Sequence, residues 1–99
     1  MTEIRMVLME AIARKRVVTV RYNGIDIALA PHLLFDRRGD LHLAALNLTK
    51  AWRSDEDPRL GVFKLGGITA ATIGDAGFDP LPSFAGIAPT DADIAILAV

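Results

Sequence analysis

The two histidines of the chain, His32 and His42, are the first residues to consider for chemistry, and both lie in the stretch PHLLFDRRGDLHLAAL at residues 31–46. Imidazole is a common metal ligand and general base near neutral pH. A zinc site needs further ligands at defined geometry, yet the apolar runs that carry the two histidines contain no Asp or Glu and no HExxH pattern. Cysteine is absent, which excludes thiolate zinc sites, disulfides and cysteine nucleophiles. We therefore predict no metal site.

Other catalytic patterns are also missing from the sequence. The glycines of KLGG and GGIT, at residues 64–69, lack the GxxxxGK spacing of a phosphate loop, so Gly66 and Gly67 predict a turn or a bulge. Ser54 and Ser83 lie in predicted loops without the glycine pattern of a nucleophile elbow. We expect a protein that is not an enzyme, with no catalytic residues and no cofactor.

Two groups of side chains offer binding chemistry instead. For each histidine a plainer interpretation stays open, in which the ring sits at a half-exposed edge and bonds to backbone or water. Trp52, in a predicted polar loop, either stacks on a base or anchors its own loop on the core. The first group is predicted to surround one shared hollow and to bind a ligand: Tyr22, His32, His42, Arg59 and Lys64. The second group is an alternative nucleic-acid-binding strip: Arg37, Arg38, Lys50, Trp52 and Arg53.

A helix at the N-terminus is predicted to be the first element that positions these groups. Apolar residues at three- and four-residue spacing form one stripe over residues 2–15, and Arg14 and Lys15 sit in the last turn, where cations suit the helix dipole. Met6, Met9 and Ala13 fall roughly opposite that stripe. They are either scattered surface residues or a face that packs on a second copy or a neighbouring domain.

Strands follow the helix, because the apolar period changes to two at residue 17. Asn23-Gly24 is a strong hairpin signal, Pro31 is expected to end or bend its strand, and Asp36 and Gly39 supply turn chemistry. Residues 49–60 predict a long exposed loop. The predicted strands cover residues 17–22, 25–30, 32–35, 41–48, 61–65 and 68–73.

The region after residue 78 contains several prolines, and we expect irregular backbone anchored by Phe78, Leu81 and Phe84, with the last residues as a helical turn or a final strand. One helix followed by short strands without βαβ alternation argues against a parallel sheet. We predict a mainly β fold with one N-terminal helix, a small antiparallel Sm/SH3-like barrel over residues 1–78, with residues 79–99 as an extension packed on it.

Length and composition set outer limits on this fold. A chain of 99 residues, about half of them apolar, suits one globular domain. Residues 1–73 carry all 11 Lys and Arg against 8 acidic residues, whereas residues 74–99 carry four Asp and no base. The excess of positive charge in residues 1–73 is smaller than that of most sequence-independent nucleic-acid binders. Neither a secretory signal nor a membrane span is apparent, so we expect a cytoplasmic, bacterial-type protein without membrane contact.

The order of these features resembles the WYL domain. That family has a helix with Ala-Ile near its end, a strand closing on Tyr, a glycine turn, a Pro-centred strand, a second glycine turn, the Trp-Tyr-Leu strand and a later Phe-Arg-Leu-Asp-Arg-Ile. The resemblance spans about residues 4–78. Its counterparts here are Ala11-Ile12, VVTVRY ending at Tyr22, Gly24, Pro31-His32-Leu33-Leu34, Gly39, LHLAAL and FKLGGI.

The chain departs from the family pattern at four positions, two of them in the Trp-Tyr-Leu triplet. The name-giving triplet reads Leu41-His42-Leu43, Lys64 replaces an arginine, and Gly67 stands where the family has its second arginine. The resemblance implies an Sm-type barrel that senses a nucleotide or nucleic-acid-related ligand in bacterial transcription regulation. Such regulators carry a helix-turn-helix domain before this module, and we expect this chain to act with a separate regulatory partner or as a free-standing unit.

The resulting prediction is a regulatory binding module of WYL type that forms a homodimer through helix 2–15 or a sheet edge. Two alternatives stay open. One is an Sm-like barrel that binds RNA or single strands through the basic strip, and the other is a structural interaction module without a ligand.

Overall fold

The computed structural model of the chain describes residues 4–49, 59–82, 84, 86, 90 and 92–99. The elements within them are one helix, six strands and one short 3-10 turn between the fourth and fifth strands. In chain order they are α1 (Ile4–Arg14), β1 (Arg16–Tyr22), β2 (Ile25–Arg37), β3 (Asp40–Asn47), β4 (Gly61–Lys64), the turn Leu65–Gly67, β5 (Ile68–Gly77) and β6 (Ile94–Ala98).

Helix α1 forms because its apolar stripe can be buried on the sheet. Leu8, Ala11 and Ile12 are at most 1 % exposed, as the spacing predicts. The helix ends where Lys15 adopts a left-handed conformation with φ 53°, and the Lys15 carbonyl then accepts a hydrogen bond from the Phe78 amide. Within the described ranges, no helix is long and apolar enough to cross a membrane.

The two hairpins follow from residues that tolerate positive φ. Asn23 and Gly24, at 50° and 83°, join β1 to β2, and this confirms the predicted two-residue turn. Arg38 and Gly39, at 55° and 86°, join β2 to β3 in the same way. The Asp36 carboxylate accepts a hydrogen bond from the Gly39 amide at 2.9 Å, which fixes the second turn.

Strand β2 continues through Pro31, where it bends without ending. Pro31 pairs with Ala45 and Leu33 pairs with Ala44, so His32 is an extra residue in a β-bulge. The bulge shifts the alternation of side chains by one position. Leu29 before it and Leu34 after it therefore both face the helix, although they are five residues apart.

The sheet is antiparallel with strand order β4-β3-β2-β1-β5, and β6 pairs with β2 beyond the end of β1. A mainly β fold with one N-terminal helix is thus confirmed. The sheet is not closed by hydrogen bonds among the described residues, because β4 pairs with β3 and its link to β5 is only the three-residue turn. The final strand, within the segment expected to be an extension, is a member of this sheet.

Apolar residues cover both faces of the sheet. The outer core, on the face away from α1, is formed by Leu33, Phe35 and Ala44 with Leu60, Phe84 and Ala98 packed on it. Burial on both faces explains why β2 is buried without interruption from residue 29 to residue 35. The helix-side core lies between α1 and the sheet and contains Leu8, Ala11, Ile12, Val18, Val20, Leu29, Leu34, Leu43, Ala45 and Ile68.

Candidate ligand-binding face

The register of three neighbouring strands places an aromatic ring, an imidazole and an ammonium in one row on the outer face of the sheet. Phe35 of β2 pairs with His42 of β3, and His42 pairs with Lys64 of β4. We call Phe35, His42 and Lys64 the outer-face row. The rings of Phe35 and His42 are stacked, with centroids 5.5 Å apart and an angle of 17° between their planes. Phe35 is fully buried, and its ring packs against one face of the half-buried His42 ring.

The charged end of the row is open to solvent. Lys64 Nζ lies 3.5 Å from Asp40 Oδ2, and both side chains are more than half exposed. Exposed ion pairs of this kind contribute little, about 0.2–1 kcal/mol, so an anion can compete for the ammonium. His42 Nδ1 lies 3.0 Å from the Asp40 carbonyl oxygen, which orients the ring.

Arg37 lies near the row but is held by an acid from the far end of the chain. Its Nε and Nη2 donate to the two carboxylate oxygens of Asp93 at 2.8 and 2.9 Å, and its guanidinium lies 5.3 Å from the centre of the Phe35 ring. The Asp93 side chain has no exposed surface and also accepts from the Thr90 amide. The hydrogen bonds from Arg37 lower the pKa of Asp93 to about 2.

Because Asp93 accepts from Nε and Nη2 of Arg37 in a bidentate pair, Arg37 has a structural role here. The first member of the predicted nucleic-acid strip is therefore committed to a pair within the protein. Arg38 stays exposed at the β2–β3 turn, and the remaining members, Lys50, Trp52 and Arg53, lie outside the described residues.

His32 is fully buried, and both of its ring nitrogens have partners. Nδ1 donates to the Ala30 carbonyl at 2.7 Å, and Nε2 accepts from the Leu81 amide at 3.0 Å. The rings of Phe78 and Phe84 lie 5.2 and 5.3 Å from the imidazole. Burial lowers the pKa of His32, against the opposing effect of the Ala30 bond, and so favours the neutral form of the ring. His32 thus attaches the segment after β5 to the bulge and has no nitrogen left for a ligand.

Tyr22 lies on the opposite face of the sheet from Lys64. Its ring meets Phe63 edge to face at 5.2 Å, and both rings pack on the helix-side core. Lys64 follows Phe63 directly in β4 and so points the other way. The expectation that phenol, imidazole and ammonium surround one hollow is therefore wrong.

The Tyr22 ring also explains the glycine at position 67. A Cβ on Gly67 would lie 2.8 Å from Cε1 of Tyr22, closer than carbon atoms pack, and 3.0 Å from Oδ1 of Asn23. An arginine at that position, as in the WYL pattern, would need this ring to move. Gly67 is therefore required by the packing of Tyr22.

Of the five predicted ligand residues, the structure brings together only His42 and Lys64. Arg59 is exposed just before β4. Sequence reasoning missed Asp40 and Phe35, although Asp40 stands two residues before His42 in the recognised turn. No sequence pattern indicated a role for Asp93, because its partner Arg37 lies 56 positions away. In the described part of the chain, no three side chains of His, Asp or Glu cluster in a way that could hold a metal ion.

These features define a class of fold: an open antiparallel sheet of six strands with one helix covering one face. A solved structure of this class is that of proteasome accessory factor B/C (PafBC) of Arthrobacter aurescens, with a TM-score of 0.67 and 19 % sequence identity. The match covers 81 % of this chain but 13 % of the PafBC chain, so it shows a shared fold with a small part of a much longer protein. No protein-family model matches the chain, and comparison with curated proteins gives no match.

Proposed function

We propose that the chain is a regulatory, ligand-sensing module of WYL type that has no catalytic activity and acts in the cytoplasm. Two independent observations support this proposal. The sequence has the WYL order of features, and the fold is similar to part of PafBC, a WYL-domain-containing regulator. We place the binding site on the outer face because His42 and Lys64 are paired neighbours there.

The ligand in this proposal is an anion related to nucleotides or nucleic acid. The Lys64 ammonium is a point charge suited to a phosphate group, and the ion pair with Asp40 that competes for it is exposed. His42 adds a planar ring that stacks on Phe35, and such a ring can lie against a base. Arg38 adds a second exposed cation at the adjacent β2–β3 turn.

The departures from the family pattern are consistent with a site that has fewer groups to hold a phosphate. Family arginines that would hold phosphate bidentately are replaced by Lys64 and Gly67. We expect weaker binding than a two-arginine site would give.

The test is a thermal-shift titration with ribonucleoside mono-, di- and triphosphates and with a short single-stranded RNA. A ligand that binds only the folded chain raises its melting temperature. We expect a nucleotide to do so for the native chain and to do so less for Lys64→Gln. Lys15→Gln is the matched control, because it removes the same charge from an exposed lysine that pairs with no residue of the row.

Three results would contradict the proposal. They are an absence of any shift with every nucleotide, an equal loss of binding in Lys64→Gln and Lys15→Gln, and a shift with RNA alone that falls steeply with salt. The last of these would favour an RNA-binding barrel, because salt dependence reports phosphate contacts.

A further inference from the structure

The outer side of helix α1 carries an apolar stripe that the domain covers only in part, since Met9 also packs against the helix-side core. Met6 is 55 % exposed, Ala13 is exposed and Met9 is half-buried. These residues follow a spacing of three and four, so they lie along one line of the helix, on the side away from Leu8 and Ile12. The stripe borders a groove of about 450 Å³ that is lined by Met6, Val7, Met9, Glu10, Ala13 and Leu97.

Opposite charges flank this stripe on its two sides. On a helical projection at 100° per residue, Arg5 falls to one side of the line through Met6 and Ala13, and Glu10 falls to the other side. In heptad terms, Met6 and Ala13 occupy position a, Met9 position d, Arg5 position g and Glu10 position e. Both charged side chains are exposed.

We infer that this face binds a second copy of the chain through a parallel α1–α1 contact. In a parallel pair related by a two-fold axis, Arg5 of each protomer faces Glu10 of its partner, so the patch is complementary to itself. An antiparallel pair would instead place g positions opposite g positions and e positions opposite e positions, so Arg5 would not face Glu10. The charges therefore select both the partner and its direction.

On the Glu10 side, the contact gives up only a weak pair within the helix. Glu10 forms an i,i+4 pair with Arg14 at 3.6 Å, and both side chains are more than half exposed, so the pair can be exchanged for one across the interface. The two domains lie on opposite sides of the helix pair, because the sheet covers the other side of α1. The apolar area is small, so association is weak and depends on protein concentration.

Sedimentation equilibrium of the full chain, from low to high micromolar concentration, tests this contact. We expect the native chain to dimerise and Met6→Lys to remain a monomer. Ile25→Lys is the control, because Ile25 is 65 % exposed at the β1–β2 hairpin and belongs neither to the helix-side core nor to the groove beside α1. Circular dichroism checks that each variant is folded.

A charge swap tests the direction of the pair. Arg5→Glu and Glu10→Arg each turn two attractive pairs into two repulsive ones, and we expect each to raise the dissociation constant roughly tenfold at low salt. The double variant restores the native pattern and the native constant. Dimerisation of Met6→Lys at the native strength, a native chain that stays monomeric throughout, or single swaps without effect would each overturn the inference.

Discussion

The two histidines lie ten residues apart on neighbouring strands, and the structure gives them opposite surroundings. His32 occupies a bulge, is fully buried and uses both ring nitrogens within the protein. His42 lies in a regular part of the ladder, is half-buried and has one nitrogen near a backbone oxygen. The bulge therefore makes the imidazole of His32 part of the folded core, whereas the imidazole of His42 stays accessible to a ligand.

Replacing each histidine by leucine should give the largest contrast. His32→Leu removes the imidazole partner of the Ala30 carbonyl and of the part-buried Leu81 amide, and we expect it to lower the free energy of unfolding by about 2–4 kcal/mol. His42→Leu keeps the contact with Phe35 and should change it by less than about 1 kcal/mol. Urea unfolding of both variants measures the difference, and equal losses would remove the distinction between the two sites.

The pH dependence of stability should sharpen the same contrast. The pKa of His32 is lowered below 6.5 in the folded chain, so between that lowered value and 6.5 the unfolded state binds more protons. Stability is therefore full above pH 6.5 and falls as the pH falls, by at most about 1.4 kcal/mol per pH unit. Urea unfolding between pH 7.5 and 5 measures the slope. His32→Gln should flatten it, whereas a flat slope in the native chain would show that His32 does not titrate as a buried neutral group.

Asp93 should affect stability in a separate, more acidic pH window, and its structural effect should be more local. Its pKa is lowered from 3.8 to about 2, so its contribution is full above pH 3.8 and is lost as the pH falls toward 2. Asp93→Asn should remove this dependence and speed the amide hydrogen exchange of residues 94–98. The control is Asp26→Asn, because Asp26 pairs with Arg21 at 3.3 Å but is two-thirds exposed. Exchange rates that match in the two variants would mean that the Arg37 pair does not hold β6.

Lys64→Gln should give the smallest effect on stability. The exposed pair with Asp40 contributes little, so we expect the free energy of unfolding to stay within about 0.5 kcal/mol of the native value. A loss above 1 kcal/mol in urea unfolding would make Lys64 a structural residue like His32, and it would remove the reason to treat the outer-face row as open.

Local signals made much of the fold predictable. The period of α1, the Asn23-Gly24 turn and the Asp36-to-Gly39 turn each depend on residues close in sequence, and all three are present. Pro31 left a choice between ending and bending its strand, because PHLLF is continuously apolar and its period cannot reveal a bulge.

The candidate site was less predictable, because it depends on which face of the sheet each side chain takes and on how distant strands pair. Strand β4 has only four residues, so its sequence does not reveal which face Lys64 takes. The pairing of Arg37 with Asp93 joins positions 56 residues apart, and no local pattern indicates it. The face shared by His42 and Lys64, and the opposite placement of Tyr22, became readable only from the register.

The pairing of β6 with β2 has a consequence for the order of folding. Leu33 pairs with Ala98, so this ladder closes one of the longest loops in the chain, which is a slow step in a folding reaction. While the chain is being synthesised, the edge of β2 beyond residue 33 stays unpaired until residues 94–98 have been made. A nascent chain thus exposes an apolar strand edge during that interval, which favours early chaperone contact or misassociation between neighbouring nascent chains.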